Sequence, residues 1–333
     1  MSVLIDVQGL GKTFTDTTMR LGPKRPPVRA VESVSFQIHQ GEALAVVGES
    51  GCGKSTLGRL LLHLIEASEG RVMFENRDMS AMSRHEIRQL RQRMQMVFQD
   101  PFGSLSPRRT VADIIAEPMD SFGLTKSRKD RREKVAELLD LVGLPPSYMD
   151  RRPRQFSGGQ RQRIGIARAI SVDPAFIVAD EPVSALDVSI QAQIINLMQD
   201  LQEKRGFSFL FIAHDLAVVR HVADRVAVMY LGRIVEMGTK AQIYSSPHHP
   251  YTEALMSAAP RPDPAARSNR IILEGDVPSP SNVPSGCPFR TRCPLAAEIC
   301  SVERPPLIEV EPGHTAACHF ATPYPIAQRS PAT

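Results

Sequence analysis

No apolar run in this 333-residue chain approaches the roughly 18 residues needed to cross a bilayer. Stretches such as Phe209–Ala213 and Val226–Leu231 are of strand length. The chain is therefore not expected to span a membrane by itself. The opening segment Met1–Val7 has neither a basic stretch nor a continuous apolar one, so no secretory signal is expected and the chain should remain in the cytoplasm. Charge of one sign is missing too. The 40 basic residues stand against 36 acidic ones, a net +4, which disfavours nucleic acid as a partner. Cysteine is sparse, and in a reducing compartment the five residues read as metal ligands or free thiols rather than disulfides. No internal duplication is present.

Three local patterns stand out against this ordinary background. The run Ala43–Val47 leads into Gly48, Glu49, Ser50, Gly51, Cys52, Gly53, Lys54, Ser55 and Thr56, then into the helical spacing of Leu57, Leu60, Leu61 and Leu64. A strand, a glycine loop and a helix in that order form a phosphate cradle. Glycines let successive backbone N–H groups wrap the anion, and the helix start adds positive potential. Lys54 would reach the β- and γ-phosphates, and the Ser55 hydroxyl would bind Mg²⁺. A second buried strand, Phe176–Ala179, ends in Asp180 and Glu181 at the carboxyl edge of a parallel sheet. Asp180 would hold Mg²⁺ through water, and Glu181 would polarise the attacking water as general base. Between them, Ser157, Gly158, Gly159 and Gln160 follow Phe156 and open a helix carrying Ile164, Ile166, Ala167 and Ile170. Two anion-binding helix starts so far apart make sense if ATP is shared between two subunits.

These motifs resemble those of the ATP-binding cassette (ABC) ATPases, over roughly three quarters of the chain. Phe156–Gln160 is similar to the family signature, Gln99 to its Q-loop, Ser184–Asp187 to its D-loop and His214 to its switch histidine. The resemblance implies an α/β P-loop NTPase fold: a RecA-like core, an antiparallel β subdomain and a helical subdomain inserted at about residues 100–165. It implies that Gln99 senses Mg²⁺, with Ser55 and Asp180 as the other ligands, and that His214 contacts the γ-phosphate. It also places Phe14 against adenine and Asp187 in the D-loop of a dimer, in which this single P-loop supplies half of a two-site assembly.

Strands around Leu4–Val7 and Val34–Ile38 flank Leu21–Pro27, which reads as an exposed insertion. Helical spacing recurs over Val111–Phe122 and Arg131–Val142. The basic runs Arg84–Arg93 and Lys126–Lys134 read as solvated helix faces, with contact to anionic lipid as the functional alternative. After Gly238 the texture turns Pro-rich, which divides the chain into an ATP-binding domain (1–245) and a C-terminal region (246–333). The latter holds Cys287, Cys293, Cys300 and Cys318, enough for a [4Fe–4S] cluster or a tetrahedral Zn²⁺, with free thiols as the third reading.

The surrounding Cys-Pro-Phe and Gly-His motifs resemble the C-terminal region of oligopeptide and dipeptide importer ATPases, some of which carry a [4Fe–4S] cluster. That resemblance implies a subunit on the cytoplasmic side of the inner membrane. Its partners would be a homologous second ATPase or its own copy, two permeases and, indirectly, a solute-binding protein. Nickel or glutathione is the rival cargo. A soluble ABC ATPase of DNA repair or translation is the rival class, opposed by the single cassette and the lack of a long coiled coil. Arg152-Pro153-Arg154 and Ala213 depart from the family's usual Tyr-Pro-His and Ser, at positions that bear on subunit contacts.

Overall fold

The computed structural model describes residues 2–15, 26–258 and 271–321, so the insertion read over 21–27 falls mostly outside them. The chain opens with two long strands, β1 (Val3–Phe14) and β2 (Val28–His39), paired antiparallel. In β2 the residues Val34, Phe36 and Ile38 are buried and Ser35 and Gln37 are exposed, the period of two that turns one face of a sheet to the core. Strand β3 (Ala43–Val47) is buried along its whole length, and helix α1 (Lys54–Leu61) follows the glycine loop. The helical spacing predicted through Leu64 stops short: His63 takes a left-handed backbone (φ 48°), and Leu64 lies 45% exposed beyond the helix end. Strands β4 (Glu69–Phe74) and β5 (Arg77–Asp78) complete a four-stranded antiparallel sheet in the order β2-β1-β4-β5.

Helix α2 (Arg84–Arg93) starts on a reciprocal Ser83–Glu86 cap and buries only Ile87 and Leu90, so its basic residues lie on the outer face. After β6 (Met94–Val97) come the short α3 (Pro101–Ser104), then α4 (Val111–Ser121) and α5 (Arg128–Leu141). The latter begins three residues before the predicted start because Ser127 caps it. Its basic face is largely matched within the fold: Arg131 pairs with Asp113 and Asp120, and Arg132 with Asp150. Helix α6 (Gly158–Ile170) leads to β7 (Phe176–Asp180), α7 (Val188–Arg205), β8 (Ser208–Ala213), α8 (Leu216–Val222) and β9 (Arg225–Tyr230).

Strands β3 and β6–β9 pair parallel in the order β6-β7-β8-β3-β9. Alternate residues face opposite sides. Leu44, Val46, Val178 and Leu210 join the apolar face of the antiparallel sheet, while Ala45, Val47, Ile177 and Phe211 pack with α4, α6 and α7. Both faces are covered, which is why these strands read as unbroken apolar runs.

The sheet continues past β9. Strand β10 (Arg233–Thr239) turns back antiparallel, followed by α9 (Lys240–Ser245) and α10 (Pro250–Ala258). The C-terminal region adds α11 (Glu298–Val302) and a hairpin of β11 (Ile308–Glu311) and β12 (His314–Ala316). Strand β12 pairs with β10, so the hairpin extends the central sheet to eight strands. Among the described residues, no helix is long and apolar enough to cross a membrane.

Candidate active site

The P-loop lies at the carboxyl end of β3, where a parallel sheet leaves its ligand crevice. Gly53 has φ 109°, and a side chain there would place its Cβ 2.0 Å from the carbonyl oxygen of Ala30. Only glycine lets the loop pass that close to the backbone. The Lys54 ammonium, 4% exposed, donates to the carbonyl oxygens of Gly48 (2.7 Å) and Glu49 (2.9 Å), which curls it back over the loop. Cys52 is buried beneath the loop, and burial pushes its thiol pKa up. The loop lines a cleft of about 460 Å³, which also receives Gln99, Glu181 and His214.

Those residues arrive from three other strand ends. Ser55 donates its hydroxyl to Asp180 Oδ1 at 2.8 Å, joining the start of α1 to the end of β7. Asp180 is nearly buried, and desolvation holds its pKa above the usual carboxylate range. One oxygen of Glu181, Oε2, accepts from Gln99 Nε2 at 2.9 Å and lies 3.3 Å from His214 Nδ1. Glu181 has a left-handed backbone (φ 43°), uncommon for a residue with a side chain, and its amide donates to Ile212 of β8. The chain thus turns sharply at the point where its carboxylate must enter the cleft.

Phe14 ends β1 and is 45% exposed; it does not line the cleft, and Lys12 Nζ sits 5.4 Å from its ring centre. Ser157 and Gln160 close a reciprocal cap at the start of α6. The cap leaves the first-turn amides of Gly158 and Gly159 directed out of the helix. A Cβ on Gly159 would meet Ile190 at 2.5 Å, and one on Gly158 would meet Leu186 at 3.2 Å, so the loop packs on the segment around the exposed Asp187. No residue of 157–160 lines the cleft built by the P-loop of the same chain.

Residues 31–184 match the ABC transporter family, and residues 235–300 match the oligopeptide/dipeptide transporter C-terminal region. A probable peptide ABC transporter ATP-binding protein of Sinorhizobium fredii is 52% identical over 98% of this chain and 93% of its own length. The oligopeptide transport ATP-binding protein AppF of Bacillus subtilis is 50% identical over 95% of this chain and 97% of its own length. The chain belongs to the ABC transporter ATPase family. A solved ATP-binding cassette, MJ0796, in a dimeric post-hydrolysis state bound to ADP and Pi, superposes with a TM-score of 0.63 at 28% identity, covering 71% of this chain and 99% of that one.

Beyond the motifs shared across ABC ATPases, the C-terminal region touches the P-loop directly. Arg292, between two of the cysteines, grips the Glu49 carboxylate with two hydrogen bonds, of 2.7 and 3.0 Å. That bond raises the already high pKa of the guanidinium further. The Glu49 amide donates to the Tyr251 hydroxyl at 2.8 Å, and the Tyr251 ring packs with Tyr230 and Phe289 below the loop. Glu32 ties the same region to β2: it accepts from Arg233 of β10 (2.9 Å) and from Arg304 (3.0 Å). The bond from Arg233 leads in lowering its pKa to about 2. Sequence reasoning missed these contacts, whose hydrogen bonds join residues more than 200 positions apart with no periodicity to mark them.

Burial, with smaller contributions from Cys318, Cys287 and Cys300, pushes the Cys293 thiol up to about 12, so these three cysteines lie within electrostatic reach of Cys293. Among the described residues, no three of these sulfurs lie within 4.8 Å of one another. A tetrahedral zinc would need about 3.8 Å between sulfurs, given its bond length.

Proposed function

We propose that this chain is the energy-coupling ATPase of an importer for di- or oligopeptides, attached peripherally to the cytoplasmic side of the inner membrane. Residues 1–245 act in this reading as the ATP-binding domain, with a helical subdomain at about 100–165, and residues 246–333 as its C-terminal region. The observation that carries the reading is the separation within one chain of the P-loop cleft from the 157–160 loop. Each offers helix-start amides to an anion, and a second ATPase, homologous or identical, would bring the missing half.

In such a dimer, the amides of residues 48–56 and Lys54 cradle the phosphates. Ser55, Asp180 and Gln99 hold Mg²⁺, whose charge offsets that of the phosphates. Phe14, exposed at the end of β1 and outside the phosphate cleft, would pack on the base. Glu181 orients and deprotonates the attacking water, kept in place by Gln99 and His214, and the Ser157–Gln160 loop with Asp187 completes the neighbour's site. ATP that bridges two subunits binds the closed dimer more tightly than the open one, which is the differential affinity a conformational cycle requires. That cycle would move two permeases fed by a solute-binding protein.

We infer a [4Fe–4S] cluster as the group that Cys287, Cys293, Cys300 and Cys318 hold, on the likeness of this segment to the oligopeptide/dipeptide transporter C-terminal region. Anaerobically purified chain should then hold iron and acid-labile sulfide in equal amounts. Gentle solubilisation of host membranes and mass spectrometry of co-purifying proteins tests the main reading. Two multi-span permeases, a second ATPase and a peptide-binding protein are the expected set. Recovery with soluble ribosomal or DNA-repair proteins alone would overturn it.

A further inference from the structure

The geometry points to a second metal site, distinct from the cleft and the four cysteines: a two-histidine, one-carboxylate site for a zinc-type divalent cation at His248, Glu311 and His314. Each residue offers one donor atom, and the three lie within 4.8 Å of one another. His248 and His314 are fully buried, their rings edge-on with centroids 4.9 Å apart. Neither ring nitrogen of His248 has a hydrogen-bond partner, and neither does Nδ1 of His314. Buried polar atoms of native proteins are rarely left so.

The second observation concerns the proton on His314. Its Nε2 lies 2.8 Å from Oε1 of the fully buried Glu236, so Nε2 carries the proton and Nδ1 presents a lone pair. That lone pair faces Glu311 Oε2 at 4.0 Å, and His248 Nε2 faces Oε1 of the same carboxylate at 3.6 Å. Two ring nitrogens without hydrogen-bond partners thus lie near one carboxylate at separations too long for a hydrogen bond. An ion held tetrahedrally by bonds of about 2.1 Å sets its ligands about 3.4 Å apart, so the donors, 3.6 and 4.0 Å from the carboxylate oxygens, would draw in slightly around it.

The ligands are also held from behind. The Glu236 carboxylate accepts the amides of both His248 (2.6 Å) and His249 (2.9 Å) as well as the His314 ring, the carboxylate–histidine arrangement that orients metal ligands. The absence of a side chain at Gly238, where a Cβ would lie 3.0 Å from the His314 ring, leaves that ring room against β10. Glu311 is about one-third exposed, which leaves the cation a way in and room for a water as fourth ligand. Bound there, the cation fastens the β11–β12 hairpin to the segment that leads into α10. Its role is structural.

Titration of untagged, full-length chain with Co²⁺ separates this site from the thiols. Visible d–d bands without a near-ultraviolet thiolate charge-transfer band are expected, and Zn²⁺ should displace Co²⁺ at one equivalent. Glu311→Gln keeps the size of the residue and removes its charge; affinity should fall tenfold or more while the circular dichroism spectrum is unchanged. His248→Asn provides a second variant should Glu311→Gln unfold. A thiolate band for the bound ion, equal affinity in a folded variant, or no binding at all would each overturn the proposal.

Discussion

Arg292 and Glu49 meet in a two-pronged ion pair across 243 residues of chain, joining the cysteine-bearing region to the second residue of the P-loop. Arg292 is 8% exposed in its side chain and Glu49 27%, so the pair is screened less than a surface bridge. Removing the guanidinium leaves a half-buried carboxylate beside the phosphate cradle. Arg292→Ala should cost about 2–3 kcal/mol of stability in urea unfolding and weaken ATP binding. A double-mutant cycle with Glu49→Gln should return a coupling energy of about 1 kcal/mol or more; simple additivity would show that the two groups act separately.

Glu181→Gln should bind ATP as the wild type does and lower phosphate release by about 10²–10⁴, the range for loss of a general base. The amide keeps an oxygen for the bond from Gln99, so the loop should hold its shape. Turnover at the wild-type rate would remove Glu181 from that role.

Gly159→Ala tests the packing of α6 on α7. Alanine favours a helix over glycine by up to about 1 kcal/mol, yet its Cβ would stand 2.5 Å from Ile190, and overpacking commonly costs about 1–3 kcal/mol. The steric cost should win, with a lowered thermal midpoint that Ile190→Ala in the same chain restores in part.

The clamp on Glu32 sets a pH dependence. Its folded pKa, about 2, lies below the ordinary 4.5, so the unfolded chain takes up the proton first as pH falls. The stabilisation is complete above about pH 4.5 and declines from there toward pH 2. The stability gap between the wild type and Glu32→Gln, followed by denaturant unfolding, should be constant from pH 7 to 5 and narrow steadily below. A gap that widened on acidification would contradict the clamp.

The parts of the site visible in the sequence are those in which neighbouring residues do the work. Gly48–Thr56 needs glycine where the backbone passes Ala30, and that demand is written in consecutive letters. Asp180 and Glu181 follow an apolar run because β7 is buried on both faces. Leu64 misled, since nothing local signals that His63 would leave the helix. Glu236 gave no sign of its role: a single acidic residue in a strand pattern reads as solvent-facing, whereas hydrogen bonds from three residues 12, 13 and 78 positions further on satisfy its buried carboxylate. The change in texture near residue 246 marks composition, and strand pairing runs across it from β10 to β12.

That pairing bears on the order of synthesis. Met237 waits for Thr315, 78 residues behind it in the chain. While those residues are still being made, β10 is an open edge on an otherwise formed sheet, a template for pairing with a second nascent chain. The interval closes only once the hairpin has left the ribosome. Chains stalled or truncated within it should be the ones that chaperones hold and that aggregate when chaperones are scarce.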